Sequence, residues 1–328
     1  MKRVGTMSWK LQVGEIQHTY VTDKDIWHSI HHFFYHGKNT ATYKFGLFKA
    51  LLEVSITANE QFEISYDRLF YSYTKIYWNL IIGHGLWQTN SRTQVSSVQK
   101  VIEAFAQSHS IPSDWNFEKL TDVQKVEIIQ QVKRIGKKYV IGAMYGDFNG
   151  DIYSFDLKRE YLKIHPKYLQ LFQTYKRILT NVANYQLALF LEKFNHVEKV
   201  QCLLTKVEFI TARQSLREFQ QLLQQAGIEQ CFYCQKPLRQ KIHVDHFIPW
   251  SYFQNDLLWN FVLACPSCNT RKNDKLAAPM YLETLIERNN TWQSKQLFKE
   301  QFSEYTAGKL QNLYQYAESN GIHSGWTP

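Results

Sequence analysis

A chain of 328 residues is longer than one average domain, so two units are expected. Hydrophobic residues make up 44% of it, enough for a substantial core. No run of about 18 apolar residues offers a membrane span. The net charge is +9 and unevenly placed: residues 1–226 hold 28 Lys and Arg against 20 Asp and Glu, whereas residues 227–328 hold 10 against 9. Such an excess suits polyanionic partners, nucleic acid above all. It equally suits plain solubility, so charge supports a functional reading without carrying it. The opening MKRVGTMSWKLQVGE lacks the apolar centre of a secretory signal. The cytoplasm is therefore the expected location, where structural disulfides are improbable.

DKDIWHSIHHFFY (23–35) follows Thr22 and reads as a capped helix. ATYKFGLFKALLEVSI (41–56) and SYDRLFYSYTKIYWNLIIG (65–83) show helical spacing, the latter with Leu69, Tyr73, Ile76, Tyr77 and Leu80 on one face. Amphipathic segments follow at 94–107 and 121–135. KYVIGAMYGDFNGDIYSFD (138–156), rich in β-branched and aromatic residues, reads as a β-hairpin turning at Asn149-Gly150, with a further strand near Tyr161–Ile164. After Pro166 two long helical stretches are expected up to about Gln225, with a stop at Ala226-Gly227. The aromatic stripes at 66–87 could stack on bases, but helical spacing favours core. His28, His31 and His32 lie close together without a cysteine or carboxylate to complete a metal site.

The segment 231–275 differs in kind. Cys231 and Cys234 form one C-x-x-C and Cys265 and Cys268 another, a spacing that can set four thiolates around one Zn²⁺. A disulfide pair, free thiols or a redox motif fit the compartment and context less well. Cys202 has no partner at such spacing and reads as a small apolar residue. A four-cysteine site is closed and structural, which leaves His243, Asp245 and His246 of HVDHFIPWS unassigned.

HVDHFIPWS, then WNFVLAC, then CPSCNTRKNDK resembles the HNH endonuclease motif, in the subtype whose ββα-metal core is braced by two C-x-x-C knuckles. The resemblance covers roughly residues 229–278. It implies that His246 is the general base that deprotonates water. It implies that Asp245 and Asn269 hold a catalytic divalent cation, and that Asn260 ties the intervening loop and so orients His246. Position 269 is often His in that family, and Asn is an accepted form.

The chemistry agrees independently. Phosphodiester hydrolysis near neutral pH needs a base in the range of histidine. It also needs positive charge at the phosphate, which Mg²⁺ or Mn²⁺ on oxygen ligands supplies. Asn269 is expected to open a helix with TRKNDK, so that Arg271, Lys272 and Lys275 meet neighbouring phosphates. In a regular strand His246 would face away from Asp245, so the strand must end or bulge there, which Pro249 makes plausible. His243 is then an auxiliary active-site residue or a loop support, and Lys272 a second auxiliary.

The expected fold is α+β: a mainly helical N-terminal region (1–226) with a small sheet, an HNH unit (227–280) stabilised by a four-cysteine zinc site, and a helical tail (281–328) with Leu282, Leu285 and Ile286 on one face. The expected activity is metal-dependent cleavage of DNA, or of RNA. A large aromatic-rich helical region ahead of such a nuclease also resembles nuclease components of bacterial antiphage defence systems, among them the HNH component of Zorya-like systems, which implies protein partners. Two rivals stand beside this reading. One is a non-catalytic zinc module that binds nucleic acid. The other is a protein-interaction adaptor with a degenerate nuclease fold.

Overall fold

Thr22 starts the first helix as its sequence asks. In α1 (Asp23–Tyr35) the Thr22 hydroxyl accepts from the Asp25 amide while the Asp25 carboxylate accepts from the Thr22 amide, a reciprocal cap. The computed structural model describes residues 8–91, 93–208, 216–239 and 241–328. It divides the chain into two units, Met1–Ala212 and Arg213–Pro328. The chain is α+β, mostly helical with small antiparallel sheets.

The first unit continues with α2 (Tyr43–Val54), α3 (Tyr66–Trp78), α4 (Ser97–Ser108), α5 (Asp122–Gly136), α6 (Gly142–Asp147), α7 (Pro166–Thr174), α8 (Lys176–Phe194), α9 (Val197–Val200) and α10 (Leu203–Glu208). Leu69, Tyr73, Ile76, Tyr77 and Leu80 are all buried, as their spacing predicts, and so are Thr74, Lys75 and Trp78. Helix α3 is thus buried over most of its length, with Asp67 and Tyr71 exposed. Each large apolar side chain so buried contributes roughly 1.5–3 kcal/mol, which makes the aromatic stripe core. Helix α2 approaches α3 where Gly46 has no side chain. A Cβ there would overlap both the hydroxyl and the ring of Tyr77.

Strands β1 (Val13–Gly14), β2 (Glu63–Ser65), β3 (Tyr153–Asp156) and β4 (Tyr161–Ile164) form an antiparallel sheet in the order β1-β3-β4-β2. Tyr153 pairs with Ile164 and Phe155 with Leu162, and these four side chains are buried on one face. The hairpin therefore runs over 153–164, which corrects the expectation of one over 138–156. Residues 137–147 are helical, a π turn (Lys137–Ile141) leading into α6. Val140, Ile141, Met144, Tyr145 and Phe148 are buried at helical spacing, and Gly142 and Gly146 admit the Ser8 backbone and side chain at close range. Asn149 (φ 53°) and Gly150 (φ 84°) end the helix, with Gly150 N–H donating to the Tyr145 carbonyl. The left-handed backbone that would suit a hairpin turn here serves as a helix stop.

The two long helices expected after Pro166 are also corrected. His165 caps α7, Tyr175 separates α7 from α8, and short helices follow. Cys202 is exposed, at φ 52°, rather than a buried apolar residue. Four lysines of this unit, Lys49, Lys75, Lys133 and Lys176, are buried, so part of its formal charge never reaches the surface. Lys49 donates at 2.7 Å to both Asn184 Oδ1 and the Val207 carbonyl. No helix among the described residues is long and apolar enough to cross a membrane.

The second unit opens with α11 (Arg217–Gln225), which stops at Ala226 and Gly227 (φ 83°). Strands β5 (His243–His246) and β6 (Phe261–Ala264) pair antiparallel, and α12 (Pro266–Lys272) follows β6 directly. Helices α13 (Pro279–Gln293) and α14 (Ala307–Ser319) complete it. The C-terminal segment belongs to this unit's body. Leu276 N–H donates to the His323 carbonyl, Ala278 N–H to the Trp326 carbonyl, and Tyr314 OH to the Ala277 carbonyl. From α13, Arg288 donates to the Phe261 carbonyl and Asn289 to the Trp259 carbonyl, bracing β6 from behind. Leu285 is fully buried there.

Candidate active site

The two C-x-x-C turns converge. The Sγ atoms of Cys231, Cys234, Cys265 and Cys268 all lie within 4.8 Å of one another and form no disulfide. The Cys234–Cys265 pair is 3.9 Å apart. Four thiolates at zinc-bond length around a tetrahedral centre would be about 3.8 Å apart, so the cluster has the dimensions of a metal cage. Local rules build each half. In the first, Gln235 N–H donates to the Cys231 carbonyl and Cys231 N–H to the Lys236 carbonyl, with Gln235 at φ 58°. In the second, Cys265 caps α12 and Pro266 occupies its first turn. Burial raises the thiol pKa of Cys231 and Cys268. For Cys234 burial also opposes ionisation, but hydrogen bonds from the Lys236 amide and neighbouring thiols outweigh it and bring the group down to about 7. One thiol is thus primed to lose its proton to a metal.

The cage carries the strand pair. Phe232 N–H, inside the first knuckle, donates to the Leu263 carbonyl of β6. Strand β5 ends at His246, where Phe247 N–H turns to the Asn260 carbonyl at 2.8 Å. Asp245, His246 and Asn269 together line one small cleft of about 120 Å³, with Pro249, Trp250 and Asn273. Asn269 lies within α12 rather than opening it, because the helix begins at Pro266.

Asp245 is buried, and its Oδ2 accepts from Tyr233 OH at 2.5 Å and faces Lys272 Nζ at 3.0 Å. Lys272 is fully buried and also donates to the His246 carbonyl at 2.9 Å. It presents no ammonium to solvent, as the expected phosphate contact would require, and acts as an internal brace. Arg271 is exposed and Lys275 half-buried. Among the described residues nothing bonds Asp245 Oδ1 or Asn269 Oδ1. Asn269 Nδ2 is taken by His243 Nδ1 at 2.9 Å. Two oxygen donors are thus left for a hard cation, and His243 sits behind Asn269 rather than in the cleft lining. Asn260 is fully buried outside the cleft. Its Oδ1 accepts from Ile248 N–H at 2.8 Å and its Nδ2 donates to the Ile248 carbonyl at 3.1 Å, clamping the loop after His246.

Two residues are added by the structure. His246 Nε2 lies 2.9 Å from Asp256 Oδ1, and both side chains are largely buried. The other is Tyr233, whose hydroxyl is set against Asp245. Tyr233 could have been suspected, because a tyrosine between two metal-ligating cysteines is polar where only packing is needed. Asp256 lies in the irregular segment between the strands, and no periodicity marks it.

The second unit thus sets a two-stranded antiparallel sheet, a following helix and four closely spaced cysteines around one cleft that holds a histidine, a carboxylate and an amide. Residues 231–275 match the family model of the HNH endonuclease, so the chain carries an HNH nuclease-family domain at that place. No curated protein and no solved structure matches the chain.

Proposed function

We propose that this protein is a metal-dependent HNH endonuclease that hydrolyses phosphodiester bonds of DNA. The observation that carries the reading is the shared cleft of Asp245, His246 and Asn269. In it His246 is the general base. With Nε2–H given to Asp256, the Nδ1 lone pair faces outward to take the proton of a water. The resulting hydroxide attacks phosphorus, the bond to the leaving oxygen breaks, and that oxygen takes a proton from solvent water. Mg²⁺ or Mn²⁺, when bound, offsets the charge building on the phosphate. Asp245 and Asn269 would hold it through their Oδ1 atoms, and Asn260 fixes the loop that aims His246. Zn²⁺ fills the four-cysteine cage and is structural. Arg271 and Lys275 flank the cleft as phosphate contacts.

Residues 1–226 are assigned to nucleic-acid binding or regulation, 227–280 to catalysis and 281–328 to support of the catalytic unit. A cytoplasmic role in antiphage defence, with protein partners of such a system, fits this arrangement.

The test is plasmid nicking by the full-length protein with Mg²⁺ or Mn²⁺ and with EDTA. His246→Ala is expected to keep its fold and zinc content and to lose ~10²–10⁴-fold of the rate. Undiminished nicking by a folded His246→Ala protein would move the base elsewhere, with His243 next in line.

One observation favours a second reading, a non-catalytic zinc module that binds nucleic acid. Tyr233 and Lys272 already satisfy Asp245 Oδ2 without any cation. Nucleic-acid binding without nicking in either metal would establish it.

A further inference from the structure

The first unit contains a cavity of about 920 Å³ that the nuclease reading does not use. That volume lies at the upper end of the range of small-molecule sites. Its lining carries two lysines, Lys38 and Lys44, and three histidines, His28, His32 and His36, against Asp147, the one carboxylate among the described lining residues. Asp147 is already paired, 2.6 Å from Lys44 Nζ. His28 and His32 share a face of α1 because they are spaced by four, and His36 caps that helix with its ring 5.9 Å from that of His32. They do not converge as metal ligands. Among the described residues the group placed to hold a metal ion is the four cysteines.

On another side of the cavity stand Trp9 and Tyr139, both exposed, with ring centroids 6.0 Å apart and planes tilted by 34°. Lys10 Nζ lies 5.2 Å from the Trp9 ring and Lys138 Nζ 5.1 Å from the Tyr139 ring. Exposed aromatics backed by cations offer π faces to a flat, electron-rich ring. Ser29, Thr40 and Asn149 add polar groups that can read ring edges.

We propose that this cavity is a nucleotide site, which takes an aromatic base on Trp9 and Tyr139 and phosphate on His32, His36 and Lys38. The two features sit in one concavity, and phosphate attached to an aromatic base is the chemistry that uses both. Inorganic phosphate alone would leave the ring pair idle. The proposal stands independently of whether the HNH domain cuts. The same chemistry is offered by a free nucleotide and by the phosphorylated end of a strand.

The experiment is calorimetric titration of the full-length protein with ATP, GTP, AMP, inorganic phosphate and a 5′-phosphorylated deoxyoligonucleotide. The comparison is with Lys38→Ala, with the double variant His32→Gln/His36→Gln, and with Trp9→Ala. All four side chains are exposed, so circular dichroism is expected to show intact folds; Lys24→Ala, on the same helix but outside the lining, is the charge control. At least one nucleotide is expected to bind at micromolar concentration. Lys38→Ala and the double histidine variant should each weaken it at least 10-fold, Trp9→Ala about 5-fold, and Lys24→Ala less than 2-fold. Oligonucleotide binding tighter than that of any free nucleotide, lost in the same variants, would support the site and give the strand end as its source. Absence of binding by every probe at millimolar concentration would overturn the proposal. So would equal affinity for inorganic phosphate and nucleotide, or equal binding by the cavity variants and wild type.

Discussion

Lys272→Met is expected to unsettle the second unit far more than a single lysine on a surface would. Lys272 has no exposed side-chain area, and its ammonium stands 3.0 Å from Asp245 Oδ2 and 2.9 Å from the His246 carbonyl. At 3.0 Å and an effective dielectric of about 20 the pair attracts by about 5 kcal/mol, an upper limit before desolvation is counted. Removing one member of a buried pair typically costs about 3–5 kcal/mol, because the other charge stays buried alone. Tyr233 keeps its hydrogen bond to Asp245, which sets the expectation near the lower end of that range, about 3 kcal/mol. Asp245→Asn/Lys272→Met should recover part of that loss, with a coupling of about 2 kcal/mol, because the double variant leaves no lone carboxylate. The assay is amide hydrogen exchange by mass spectrometry on peptides covering 258–264, without added divalent cation. About 3 kcal/mol there corresponds to roughly 100-fold lower protection. A change below about 1 kcal/mol in Lys272→Met, additive with Asp245→Asn, would refute the view that the pair braces β5 against α12.

Three further outcomes are expected. Cys265→Ser should reduce zinc from about one ion per chain to almost none and abolish exchange protection across β5 and β6, while the first unit keeps its own; metal analysis and the same exchange experiment check this. Gly46→Ala should destabilise the first unit by about 1–3 kcal/mol in a urea melt, since its Cβ would enter the buried Tyr77 ring. The first unit should also gain stability as pH rises from about 8 to 10. Burial lowers Lys49 and Lys176 to about 8, against an unfolded value near 10.5. In that window the unfolded chain therefore binds more protons, and raising the pH favours the folded state by an order of magnitude of a few kcal/mol. Above about 10 the sign reverses, because burial raises Tyr66, Tyr73 and Tyr77 and unfolded tyrosines ionise first. Melts at about pH 7.5 and 9.5 that show no rise would count against the buried charges.

Much of this architecture was legible because single local rules decide it. Thr22 with Asp25 is a complete cap, and the apolar spacing of 65–83 leaves a helix little alternative. The failure at 138–156 is of another kind. Val140, Ile141 and Tyr145 favour strands by composition, yet they recur with a helix period, and Asn149-Gly150 suits a helix stop as well as a hairpin turn. Composition and period disagreed, and period won because those residues bury one helical face. At the candidate site the cysteines were readable from spacing, and the Asp245-His246 pair from the resemblance to the HNH motif. The inward Lys272 was not, because burial of a cation depends on where α12 lies against β5. Nor was Asp256, which reaches His246 across a segment with no regular period.

The first knuckle does more than bring two cysteines to the cage. Its third residue, Tyr233, reaches past the cage to the carboxylate of Asp245. Any aromatic side chain could fill that space beside Trp326 and Tyr281, but only one with a hydroxyl can hold the carboxylate. Positions 233 and 245 are therefore expected to vary together. Among descendants of this chain, loss of the carboxylate at 245 is expected to release position 233 to phenylalanine, whereas lineages that keep the carboxylate keep the tyrosine, even where the rest of the turn drifts.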